Sequence, residues 1–182
     1  MRNRFREDKA TQAAARILKH AGGRMEYLKL IKLLYLSERE SLVALGAPLT
    51  HDACWSLPYG PILSATLDRV NQQQLYRGGY WDRHIAPKDR YQVDLRTGDV
   101  PNDQLSSAEE EVIDRVYARY GHLSQWELVE LTHRLPEWED PGGSALPIDP
   151  AVILRSEGYS DEEIEAVMAD WAEVAVAQSL LG

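Results

Sequence analysis

The chain has 182 residues, 44% of them hydrophobic and 27% charged, with a net charge of −9. That is room for one domain, residues 1–182, and the composition excludes a disordered, collagen-like or purely coiled-coil chain. No run approaches the roughly 20 apolar residues of a membrane span, the charged start MRNRFREDK lacks the apolar stretch of a secretory signal, and the single cysteine, Cys54, excludes an internal disulfide or a multi-cysteine metal site; the expectation is a soluble cytoplasmic protein.

Residues 7–20 read as a first helix, with Ala, Ile and Leu set between Arg and Lys and with Gly22-Gly23 as its stop. Residues 24–45 give the strongest helical pattern. Tyr27, Leu28, Ile31, Leu34 and Tyr35 form one stripe, which Leu30, Leu33 and Leu36 widen into a face broad enough for burial on several sides. This is the expected central helix, ended by Gly46 and Pro48. Residues 47–60 read as an irregular connector, and a third helix is expected from Pro61, a residue suited to a first turn. Tyr80, Trp81, Ile85, Tyr91, Val93 and Leu95 alternate with polar residues, which predicts a β-hairpin over about 80–95.

A helix over 105–121 follows, with Ser106 or Ser107 as N-cap. Ser124 caps a shorter one to Leu135, stopped by Pro136. A Pro/Gly loop fills 137–150, and Asp149-Pro150 opens two helical turns to Gly158. Ser160 and Glu163 then form a capping-box pattern. The last helix shows Ile164, Val167, Met168, Trp171, Val174, Ala175 and Gln178 on one face, which fits either intramolecular core or a homodimer seam. The predicted architecture is mainly α: six to seven helices with one small antiparallel hairpin.

Catalytic and cofactor patterns are missing. The Gly-Gly pairs lack phosphate-loop spacing, and no His-Glu-x-x-His or Gly-x-Ser-x-Gly is present. His20, His51, His84, His122 and His133 have no metal-ligand spacing, so neither a metal nor a cofactor is expected. His51, Asp52 and Cys54 lie close in sequence, but a short segment does not by itself converge a thiol on a base, and a cysteine beside Trp55 is more often packed than reactive. Charge is uneven: residues 1–40 carry ten Lys/Arg against five Asp/Glu, residues 106–182 four against seventeen. The basic start, Arg2, Arg4 and Arg6 around Phe5, resembles a small nucleic-acid arm, and equally a solvated terminus. The acidic half suits a basic protein partner. Five Trp and nine Tyr against one Phe favour amphipathic aromatics, the usual anchors of interfaces.

Two segments carry a family resemblance. KLIKLLYLSERESLVALGAPLTHDACWSLPYGPIL and LSSAEEEVIDRVYARYGHLSQWELVELTHRLPEW, in this order over about 25–140, resemble the SocA-like Panacea antitoxin domain. The resemblance implies a mostly helical, non-enzymatic domain that neutralises a co-encoded toxin by direct binding. Some members present the toxin to a protease, and the domain also occurs in phage-associated proteins. It makes Trp55, Tyr59, His133 and Trp138 candidate partner-binding residues, and Gly60 and Pro61 a structural turn. The residues themselves give His133 a structural role as well, bonding a free carbonyl at a helix end and stacking on Trp138. A nucleic-acid-binding regulator using the basic first 40 residues and a proteolytic adaptor are the alternative readings.

Overall fold

Helix α2, Tyr27–Leu45, runs through the middle of the molecule, with Leu30 to Glu38 buried without a break. The computed structural model describes residues 5–87, 89–96 and 99–180; Arg2 and Arg4 lie outside them. Around α2 pack α1 (Glu7–His20), α5 (Ser107–Tyr120), α6 (Gln125–Thr132) and α7 (Pro150–Ser156). Ala10, Ala13 and Ala14 on α1 leave room for close approach, and Ile17 and Leu18 fill the seam beside them. One continuous apolar cluster draws residues from Ala13 to Ile164. The central position of α2 follows from its wide apolar face, since a helix apolar all round must be covered all round.

The expected stops and starts hold at most helix ends. Gly22 and Gly46 are left-handed at the ends of α1 and α2, and the Gly46 N–H donates to the Leu42 carbonyl. Ser106 and Ser124 each close a capping box, with Glu109 and Glu127. Asp149 caps α7 ahead of Pro150. Ser160 and Glu163 exchange the same pair of bonds at the start of α8, Asp161–Leu180. Ile164 of α8 is buried, and Val167, Met168 and Trp171 pack against the core; the side chains of Val174, Ala175 and Gln178 lie outside the described part.

Three expectations fail. The connector 47–60 contains a strand, β2 (Cys54–Leu57), and Pro61 lies in its antiparallel partner β3 (Gly60–Leu63), not at a helix start. Proline is tolerated there because β3 is an edge strand. The helix that follows, α3 (Ser64–Asn71), begins three residues later and is capped from a distance. Asp52 accepts from the Ala65 and Thr66 N–H groups and from the Thr66 hydroxyl.

The hairpin over 80–95 is the second. Tyr80–His84 is a short helix, α4, held by the buried ring of Trp81 and by the Trp81 backbone N–H donating to Glu7 at 3.0 Å. What remains of the hairpin is the bridge Ile85↔Leu95 and the bridge Asp89↔Gln92. The strand β4 (Gln92–Asp94) pairs instead with β1 (Arg24–Glu26), a strand read as helix in the sequence. Third, a second small sheet joins β3, β2 and β5 (Leu146–Pro147) in that order. Among the described residues there are thus eight helices and two small antiparallel sheets. The mainly helical class holds, with more strand than one hairpin.

Candidate functional site: the β2–β3 tip against the α6 loop

Strands β2 and β3 turn through Pro58 and Tyr59. This tip sits against the segment that leaves α6, and the two motif segments of the sequence meet here. The Trp138 indole Nε1–H donates to the Leu57 carbonyl at 3.1 Å, and the Glu139 N–H donates to the Ser56 hydroxyl. The His133 imidazole stacks on Trp138 with centroids 4.0 Å apart and planes 20° apart. Gly60, left-handed at φ +96°, brings its backbone against Thr132 and Lys32. The turn expected at Gly60-Pro61 is therefore a contact point between two segments more than 70 residues apart.

Tyr59 projects from the tip and is 62% exposed; Trp126, on α6, is 56% exposed. Their rings meet edge to face at 6.0 Å. Two large aromatics held together in water form an unusual surface, since neither is needed for the core. Trp126 was not among the sequence candidates. Its signal was there: Leu128 and Val129 mark the buried face of α6, and a tryptophan off that face has no packing reason to be present. Trp55 lies elsewhere. It pairs with Ile62 and Pro147 in the second sheet and lines a cavity on the side of α7 and α8.

Beneath the tip lies Lys32, fully buried, with Nζ donating to the Pro61 carbonyl at 2.8 Å. Burial pushes its pKa down to about 7. Burial and the neighbouring Lys32 hold the His133 imidazole toward its neutral form. The loop after α6 is anchored by Glu137, whose side chain is fully buried. It accepts from the Tyr35 hydroxyl at 2.9 Å and from Arg39 at 2.7 Å, and Arg39 also reaches Glu157 at 2.8 Å. Both ends of the aromatic surface are thus tied to α2.

The sequence cluster His51, Asp52 and Cys54 does not converge. His51 faces Lys9, Arg6 and Glu109, whereas Cys54 feels Glu38, Asp52 and Glu137. Asp52 is engaged in capping α3. Burial, reinforced by those three carboxyl groups, pushes the Cys54 thiol well up, which disfavours the thiolate that a nucleophile needs. No group of His, Cys, Asp and Glu able to hold a metal occurs among the described residues. His20 instead bonds Asp114 at 2.8 Å and stacks on Tyr117.

Glu38 is a further buried titratable group of α2. Its Oε2 accepts from the Thr50 N–H and hydroxyl, and burial raises its pKa to about 8. Below the ordinary value of 4.5, folded and unfolded chains both hold this proton, and the contribution of Glu38 to stability is complete. Above 4.5 only the folded chain holds it, so the contribution is lost as pH rises toward about 8. Urea midpoints at pH 5 and pH 8 should therefore fall further for the wild type than for Glu38→Gln. Equal falls would show that Glu38 is ionised in the folded chain.

Part of the basic excess of the first 40 residues is met within the molecule. Lys9 pairs with Glu109 at 2.6 Å, Arg16 with Glu110 and Asp114, Arg24 with Asp94, and Arg39 with Glu137 and Glu157. Lys9, Arg16 and Arg39 thereby join the basic N-terminal part of the sequence to its acidic C-terminal part through internal ion pairs.

The antitoxin SocA-like, Panacea domain family matches residues 30–139, the span that contains α2 from Leu30 onward, the β2–β3 tip and the α6 loop. The chain belongs to this family, and with it to an antitoxin class. No curated protein and no solved structure gives a significant match to the chain. No helix among the described residues is long and apolar enough to cross a membrane.

Proposed function

We propose that this chain is an antitoxin that neutralises a co-encoded toxin by direct protein–protein binding, and that the β2–β3 tip with the exposed face of α6 is the contact surface. Tyr59 and Trp126 are its anchors; His133 and Trp138 are the stacked platform behind them. The observation that carries this reading is the exposed Tyr59–Trp126 pair, set on a loop-and-hairpin junction braced to the central helix. Rigid aromatics that need no reordering on binding supply most of the energy of typical interfaces. The carboxylates of Glu127, Glu130, Glu139 and Asp140, exposed on α6 and the loop after it, suit a basic partner.

The alternative of a nucleic-acid-binding regulator draws less support, because Lys9, Arg16, Arg24 and Arg39 are engaged with carboxylates of this same chain and would have to leave them to meet phosphates.

Growth rescue tests the proposal. Co-expression of the wild-type chain with the product of the neighbouring gene should restore growth, and the double variant Tyr59→Ala/Trp126→Ala should not. Both side chains are exposed, so each substitution should change folding stability by less than about 0.5 kcal/mol. Rescue by the double variant would move the contact surface elsewhere, and no rescue by the wild type would remove the reading.

A further inference from the structure

A cavity of about 190 Å³ lies among α2, β2, β5, α7 and α8. Leu42 and Ile153 form its buried floor, and Trp55, Pro147 and Trp171 its more exposed rim. For scale, a dry apolar cavity of about 150 Å³ accepts a benzene ring. The space is therefore enough for one aromatic ring with a short substituent.

Four of the polar side chains that line it divide into two sets. Arg39 is taken up by Glu137 and Glu157, and Asp52 by the start of α3. Glu38 Oε1 and Trp171 Nε1 are buried and have no hydrogen-bond partner. Oε2 of Glu38 already accepts two hydrogen bonds, from Thr50. An oxygen so occupied is the poorer place for a proton, so in the neutral carboxyl group the hydrogen sits on Oε1. The two unpartnered groups are then both donors, one contributed by α2 and one by α8. Buried donors without acceptors are rare in folded proteins, and each costs free energy until something accepts from it. A charged ligand would lose its hydration among mostly apolar walls and find no free counter-charge on Arg39 or Asp52.

We propose that this cavity is a binding site for a small uncharged molecule with a flat apolar body and one hydrogen-bond-accepting oxygen. The body fills the space between Leu42, Ile153 and Trp55, and the oxygen is taken up by the donors of Glu38 and Trp171 after a small adjustment of either side chain. The site is separate from the Tyr59–Trp126 surface and does not rest on the toxin-binding reading.

Two probes of nearly equal shape test it: acetophenone, which carries a carbonyl, and α-methylstyrene, which carries a methylene in its place. Titrated into the full chain by calorimetry and followed by NMR, acetophenone should bind saturably, shift the Trp171 indole N–H resonance, and bind at least about tenfold more tightly than α-methylstyrene. In Trp171→Phe, which keeps an aromatic wall and removes the indole donor, that preference should shrink to less than about threefold. Ile153→Phe, which fills the floor, should abolish binding of both. No saturable binding of acetophenone overturns the proposal. So does equal affinity for the two probes, or a preference unchanged in Trp171→Phe.

Discussion

Glu137→Ala is expected to lower the stability of the folded chain by about 3–4 kcal/mol, the cost typical of removing one partner from a buried charge pair. The carboxylate is fully enclosed and serves two donors at once, the Tyr35 hydroxyl and the Arg39 guanidinium. Without it the Tyr35 hydroxyl is buried with no acceptor, while Arg39 keeps Glu157 as its remaining partner. Thermal unfolding should show a drop of roughly 10 °C for a chain of this size. Glu137→Gln keeps an acceptor for Tyr35 and should cost less than half as much. A drop equal in the two variants would mean that charge alone matters; none in either would mean the loop is held by its packing.

Gly60→Ala should be the other severe change, at about 3 kcal/mol from backbone strain and overpacking together. At φ +96° a side chain is already disfavoured. The added Cβ would stand 2.8 Å from Thr132 Oγ1 and 2.9 Å from Lys32 Nζ. Neither neighbour yields cheaply: Thr132 is fully buried and donates to the Leu128 carbonyl, and Lys32 is committed to the Pro61 carbonyl. The variant should lose stability in urea and also loosen the tip from α6, which the Trp138 indole N–H resonance would report. Gly158→Ala, with nothing within 4 Å of the new Cβ and a nearly equal φ of +92°, isolates the strain from the crowding.

Much of the fold is written in local pattern. The helix ends are legible because capping boxes and left-handed glycines are satisfied within a few residues of the chain. The misreadings share a cause: the partner that decides the local structure is far away in sequence. Asp52 starts α3 from 13 residues upstream of Ala65, so Pro61 looked like the natural first-turn residue. Glu7 and the core fix Tyr80–His84 as helix against an alternating pattern that reads as strand. β1 and β5 are three and two residues long, too short for periodicity to register.

The candidate site was legible to a similar degree. The stacking of His133 on Trp138 followed from their spacing after a helix end. That the Tyr59-Gly60 turn would land on this pair did not follow from spacing, because it depends on how α2, β3 and α6 pack. Lys32 carried a readable sign, since a lysine inside a helix buried all round has to be buried with it.

On the proposed reading, this molecule acts by covering a protein partner with the Tyr59–Trp126 surface. Calorimetric titration of the product of the neighbouring gene into the purified chain tests it most directly. A saturable 1:1 complex is expected, and the variant Tyr59→Ala/Trp126→Ala should bind at least about 100-fold more weakly while keeping the melting temperature of the wild type. Undiminished affinity in the double variant, or no complex with the wild type, would contradict it.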